Sequence, residues 1–289
     1  MTSPDERLHA WALLARAALA SPIIVHALLI EHGPLAAAEY IAADARDSRF
    51  GPVTREMAAY DLERAERAGA RLVTRDDPGW PAVLADLDTV GAHAPIALWS
   101  RGRGQLNLLT ERAVAVVGSR AATSYGEKVA THLATGLGEH GWTVVSGGAF
   151  GVDAAAHQAA LDARRPTVAV LPAGLHRLFP HGNAYQLARI EETGLLLSEY
   201  PPGVEPSRPN FLARNRIVAA LAVGMVVPEA GLRSGTANTV GWATKLQRPV
   251  TAVPGPIDSA ASRGCHEFIR TGQATLAVDA QDVLDALAR

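Results

Sequence analysis

From residue 113 onward the chain alternates short apolar runs with glycine-bearing turns and helical stretches, and this rhythm excludes most folds. Between 113 and 157 it reads AVAVVGSRAATSYGEKVATHLATGLGEHGWTVVSGGAFGVDAAAH. An apolar run ends in Gly118-Ser119-Arg120, a helical pattern follows over 125–137, and a second apolar run ends in Ser146-Gly147-Gly148 before another helix. Continuously apolar strands separated by amphipathic helices belong to a parallel sheet covered on both faces. In such a sheet the turns gather at the carboxyl ends of the strands. There backbone N–H groups and helix N-termini make an anion site.

The same reading places strands at 113–117, 143–146, 167–171, 195–198, 223–227 and 249–253, then a helix at 264–271, a strand at 274–278 and a last helix from Ala280. Upstream, 71–74 and 94–99 read as two strands extending the sheet, joined through Asp77-Pro78-Gly79-Trp80-Pro81 and a short helix at 82–87. Residues 5 to about 70 read as helix, with Ser21-Pro22 as a start signal, His32-Gly33-Pro34 as punctuation and an amphipathic segment over 55–68. The expected class is α/β: an extended Rossmann-like, mostly parallel sheet over 71–289, preceded by an all-helical domain over 1–70. A module of the latter kind can bind DNA, dock a partner or cap a sheet.

With 48% hydrophobic residues, the 289-residue chain can bury a substantial core. Formal net charge is only −2, so nucleic-acid binding must come from a local patch of arginines. The single cysteine, Cys265, excludes a disulfide framework and a multi-cysteine metal site. No stretch has the length of a membrane span, and the expectation is a cytoplasmic protein without a membrane partner.

The candidate chemistry lies at the strand tips. Gly118, Ser119 and Arg120 combine a tight turn, a hydroxyl and a guanidinium suited to phosphate, and Ser146, Gly147 and Gly148 stand at the next tip. There is no Gly-x-Gly-x-x-Gly turn with a ribose-binding acid, and no Gly-Lys-Ser/Thr, which disfavours NAD and ATP; no cofactor is expected. Asp153 and His157 lie one helical turn apart without a third ligand, so a loop cap and a hydrogen-bonded histidine suit them better than a metal. Phe179 could stack on a base or plug its own loop. The most basic segment, 207–216, opens a helix with Asn210, Phe211, Arg214, Asn215 and Arg216. It either awaits an anion or forms an internal salt bridge to Glu199 or Glu229. Ser234, Gly235 and Thr236 add donors at a further helix start.

The stretches VAVVGSRAATSYG, VVSGGAFGVDAAAHQAAL, VAVLPAGLHRLFPHGN, LLLSEYPPG, FLARNRIVAAL, VVPEAGLRSGTANT and AVPGPIDSAASRGCHEFIRTG together resemble the DNA-processing protein A family, DprA or Smf. The resemblance implies a SAM or helix-hairpin-helix-like N-terminal domain and a Rossmann-like domain that binds single-stranded DNA. It implies a non-enzymatic homodimer that hands this DNA to the RecA recombinase during recombination and natural transformation. It assigns DNA contact to Ser119, Arg120, Ser146, Gly147, Phe179, Asn183, Asn210, Phe211, Arg214, Asn215, Arg216, Ser234, Gly235 and Thr236. Departures from the family pattern are Gly148 in place of Leu, Leu212 in place of Pro, Thr236-Ala237 in place of Ser-Leu, and His181 in place of a basic residue. No winged-helix domain, common after the sheet in relatives, is expected in a chain that reaches Arg289 soon after its last helix. The rival reading is a nucleotide sensor or a phosphoribohydrolase-like enzyme of similar layout. Thr239 stands where that enzyme's motif carries a glutamate, which leaves acid/base cleavage without an agent.

Overall fold

The computed structural model describes residues 3–43 and 48–288; the stretch 44–47, inside the expected helical module, lies outside the described residues. Helix α1 (Pro4–Ala18) starts with a capping box, Ser3 accepting from the Glu6 N–H while the Glu6 carboxylate accepts from that of Ser3. Helix α2 (Pro22–Ala43) begins at the expected proline and breaks at Gly33, whose φ of 72° is non-helical, at the punctuation expected there. Helix α3 (Arg55–Arg67) is capped by Thr54 and tied to α1 by a two-pronged ion pair. Arg16 Nε and Nη2 each donate to the buried Asp61 carboxylate at 2.6 Å.

The remaining elements follow in order: β1 (Ala70–Thr74), α4 (Asp86–Thr89), β2 (Ala97–Arg101), α5 (Leu106–Glu111), β3 (Ala113–Val116), α6 (Ser124–Glu139), β4 (Thr143–Ser146), α7 (Val152–Asp162) and β5 (Thr167–Leu171). They continue with α8 (Ala184–Thr193), β6 (Leu195–Ser198), α9 (Arg208–Ala220), β7 (Gly224–Val227), α10 (Gly235–Lys245), β8 (Val250–Ala252), α11 (Arg263–Arg270), β9 (Thr275–Leu276) and α12 (Ala280–Leu287). The short helix expected at 82–87 is a 3-10 turn, Ala82–Ala85, running into α4. The strand expected at 274–278 contracts to two residues.

The sheet order is β1-β2-β6-β5-β4-β3-β7-β8-β9. The first two strands add antiparallel beside β6, and every other pairing is parallel. Strand alternation sorts side chains to two faces. Ala113, Ala115, Val168 and Val170 join a core completed by residues of α9, α10 and α11. Val114 and Val116 face α6, α7 and α12. Ala169 and Leu171, with Leu72 and Trp99, share a third cluster with Trp11, Leu14 and Ile41, so the helical module packs directly onto one sheet face. None of the described helices is long and apolar enough to cross a membrane.

Strand β3 is the first of the parallel set and lies between β4 and β7. The chain builds outward through β4, β5 and β6, then returns to the other side of β3 with β7. Such a reversal opens a crevice above the carboxyl ends of the strands.

Candidate functional site

A hollow of about 750 Å³ occupies that crevice. Its wall is assembled from the loops after β3, β4, β5 and β7 and from the first turns of α9 and α10. Gly118, Ser119, Arg120, Gly147, Phe179, Phe211, Arg214, Asn215, Ser234, Gly235 and Thr236, all anticipated from sequence, line it together. Charge is concentrated here in a nearly neutral chain: the lining holds Arg120, Arg208, Arg214 and Arg233 against one carboxylate, Asp153.

Arg214 forms the floor and is 4% exposed. Its Nη1 donates to the Val170 carbonyl at 2.7 Å, while Nε is buried without a hydrogen-bond partner. Burial lowers its pKa to about 10, with Asp153 working in the opposite direction, so the guanidinium stays charged near neutral pH. Gly147 leaves room for it: a Cβ at that position would stand 1.9 Å from Nη1 and displace the guanidinium. Asp153 has the expected capping role, its Oδ2 accepting from the N–H groups of Gly147 at 3.1 Å and Ala149 at 3.3 Å. Desolvation pushes its carboxyl above the usual range, against the opposing pull of Arg214 and those donors.

His157, also buried, makes its polar contact with Thr167. Its Nδ1 is 2.8 Å from Thr167 Oγ1, whose own proton goes to the Val144 carbonyl at 2.7 Å. The hydroxyl therefore accepts, and His157 is the Nδ1–H tautomer with Nε2 unpartnered. Burial, and secondarily the nearby Arg214, lowers its pKa to about 3.

Along one wall runs a ladder of rings. The Arg120 guanidinium lies over Phe211, 4.2 Å from the ring centroid; Phe211 meets Phe179 edge-on at 6.1 Å, and Phe179 meets His181 at 5.8 Å. Arg120 is exposed and both phenylalanines are half-buried, so each offers surface to the hollow. On the opposite side Ser234 begins α10, and its Oγ is buried with no hydrogen-bond partner. Helix α9 begins at Ser207, whose hydroxyl accepts from the Asn210 N–H at 3.4 Å.

Five anticipated residues do not face the hollow. Ser146 is fully buried and donates to the Val116 carbonyl at 2.6 Å. Gly148, with φ of 67°, turns the β4 loop and packs against Leu171 and Leu187. The left-handed backbone and this close packing suit glycine at this position. Asn183 holds that loop from behind, its Nδ2 donating to the carbonyls of Gly148 at 3.2 Å and Ala149 at 3.1 Å. Asn210 donates to the Glu205 carbonyl. Arg216 turns away into a two-pronged pair with Glu199 at 2.8 and 2.6 Å, one of the two internal salt bridges considered above. Burial works against its charge, and Glu199 more than offsets this.

Arg208, Arg233 and Asn238 also line the hollow and were not anticipated as contacts. Arg233 had a legible signal, because it precedes the donor-bearing Ser234-Gly235 turn as a basic residue. Asn238 had none; it becomes visible when Asn215 Nδ2 reaches its Oδ1 at 3.1 Å across the α9/α10 contact.

An open, mostly parallel α/β sheet with an arginine-floored cleft at its strand-order reversal defines a Rossmann-like protein with a cationic switch-point site. Comparison with known proteins carries this to a family. The profile of DNA recombination-mediator protein A matches residues 71–288. A putative DNA processing protein DprA from Mycobacterium tuberculosis is 47% identical, over 97% of this chain and 75% of that relative. The X-ray structure of DNA processing protein A from Streptococcus pneumoniae superposes with a TM-score of 0.76 at 30% identity, covering 99% of this chain and 98% of that one. DNA processing protein A from Helicobacter pylori, whose structure concerns its single-stranded DNA binding mode, superposes with a TM-score of 0.67 at 32% identity, covering 76% and 97%. The chain belongs to the DprA/Smf family of DNA recombination mediators.

Proposed function

We propose that the hollow binds the backbone of single-stranded DNA and that the protein, acting without catalysis, protects such DNA and helps load RecA recombinase onto it. Cytoplasmic, homodimeric action in DNA uptake and natural transformation completes the proposal. The observation that carries it is the Arg214 floor. A guanidinium that lines the cleft spends Nη1 on the Val170 carbonyl, and the four arginines of the lining face a single carboxylate, Asp153. Such an excess of positive charge at the base of a cleft suits a phosphate, whose oxygens pair with planar guanidinium groups. Single strands are favoured over duplex because Phe211 and Phe179 sit beside the floor, and stacking on them requires bases already released from a helix.

The hydrolase reading would need a free carboxylate. Asp153, the one carboxylate among the described lining residues, is engaged by two loop N–H groups, and Thr239 is buried.

Arg120→Ala is the test. Because Arg120 is exposed and its guanidinium contacts a ring rather than a carboxylate, its loss leaves the fold intact. Affinity for single-stranded oligonucleotides is expected to fall by a similar factor for every sequence. The log–log salt dependence should become shallower by about 0.7 for one lost phosphate contact. Stimulation of RecA filament assembly on the same oligonucleotide should fall in parallel. Unchanged affinity and slope would overturn the proposal, and release of free base from nucleotides by the wild-type protein would favour the hydrolase.

A further inference from the structure

Away from the hollow, where α2 of the helical module meets the segment between α4 and β2, three metal-ligating side chains converge. His26, Asp88 and His93 each direct one ligand atom into a common space, and these atoms lie within 4.8 Å of one another. We propose that they form a binding site for a divalent transition metal of the zinc class, joining the helical module to the sheet.

His26 is prepared for this role. The residue is 7% exposed, and its Nε2 is 2.8 Å from the Ala94 carbonyl. A carbonyl oxygen can only accept, so Nε2 carries the proton and Nδ1 keeps its lone pair. Fixing the tautomer through a backbone carbonyl is the usual outer-sphere arrangement of a metal-binding histidine. Nδ1 faces Asp88 Oδ1 at 4.0 Å, too long for a hydrogen bond and wide enough for an ion to enter with small side-chain adjustments.

Asp88 is held by the Ala94 N–H, which donates to Oδ1 at 2.7 Å, while Oδ2 lies 3.8 Å from Arg75. The carboxylate can thus bind through one oxygen and keep its cationic neighbour on the other. His93 adopts φ of 51°, a left-handed conformation uncommon for a histidine, and this turns its ring to within 5.1 Å of the His26 ring, centroid to centroid. Its carbonyl faces Arg216 Nε at 3.4 Å. The adjoining groove, about 510 Å³ and lined also by Glu199, Tyr200 and Arg216, admits solvent to the cluster. Two imidazoles and one carboxylate with an open fourth position suit tetrahedral Zn²⁺, and a hard cation such as Mg²⁺ is disfavoured by the nitrogen ligands.

The experiment uses the full chain stripped with chelator, then titrated with Zn²⁺ against a chromogenic chelator and, separately, with Co²⁺ while visible absorption is recorded. The expected result is one high-affinity equivalent per chain, the intense visible bands of tetrahedral Co²⁺, and a rise in thermal midpoint on adding Zn²⁺. His93→Ala and Asp88→Asn, both at partly exposed positions, should each weaken Zn²⁺ binding at least about tenfold and erase the Co²⁺ bands. His140→Ala, at an exposed histidine elsewhere, should change neither. No binding, or binding that persists unchanged in both cluster variants, would overturn the assignment. Circular dichroism of the metal-free variants, matching that of the metal-free wild type, separates ligand loss from unfolding.

Discussion

Arg214→Leu is expected to destabilise the protein by about 1–3 kcal/mol, the usual cost of leaving buried polar groups without compensation. The loss leaves the Asp153 carboxylate, 7% exposed, without the cation that opposes its desolvation, and leaves the Val170 carbonyl without its donor. Leucine replaces some of the packing but none of the electrostatics. Denaturant midpoints should show the drop, and Asp153→Asn in the same chain should recover part of it, because removing both charges costs less than removing one. A single variant as stable as wild type would mean that Arg214 is not coupled to Asp153. The same substitution should abolish oligonucleotide binding under conditions where the folded fraction is confirmed. Arg120→Ala, by contrast, affects binding with little effect on stability.

The second large effect concerns acid. His157 is neutral in the folded protein with a pKa of about 3, against about 6.5 when unfolded. Its folded pKa is depressed, so its contribution is fully present above pH 6.5 and is lost as pH falls from there towards 3. Each unit is worth about 1.4 kcal/mol, so this one imidazole withdraws several kcal/mol across the window. Asp153 acts in the opposite sense, since its raised pKa makes the folded state hold its proton more readily as pH falls. The comparison must therefore isolate the histidine. The unfolding free energy of wild type should fall more steeply than that of His157→Gln between about pH 6 and pH 4. Parallel curves would remove His157 as the cause.

Much of this architecture can be read from local pattern. The six parallel strands expected from apolar runs all form, within a residue or two, because a strand buried on both faces needs an uninterrupted apolar run. The turns after β3, β4 and β7 lead to the cleft because parallel strands bring their carboxyl ends to one edge. The shortened β9 was harder to bound: Thr275 and Leu276 are both exposed and pair on one side only, with β8, so no buried face fixes their ends. The contact between the helical module and the sheet was also hidden. Trp11 and Leu14 share one core with Leu72 and Trp99, residues far away in the sequence, and no local pattern announces that contact.

Residues 214–216 show where local reading stops. A helix turns about 100° per residue, so Arg214 and Arg216 must point to nearly opposite sides of α9. Sequence alone determines this divergence, together with the class of the sheet and the strand tips at which donors collect. Which arginine enters the cleft is decided by packing. Ile217, Val218 and Leu221 seat α9 on the sheet in a single rotational setting, placing Arg214 over Gly147 and sending Arg216 to Glu199. Those partners lie 67 and 17 residues away in the chain, brought close only by strands hydrogen-bonded in a set order.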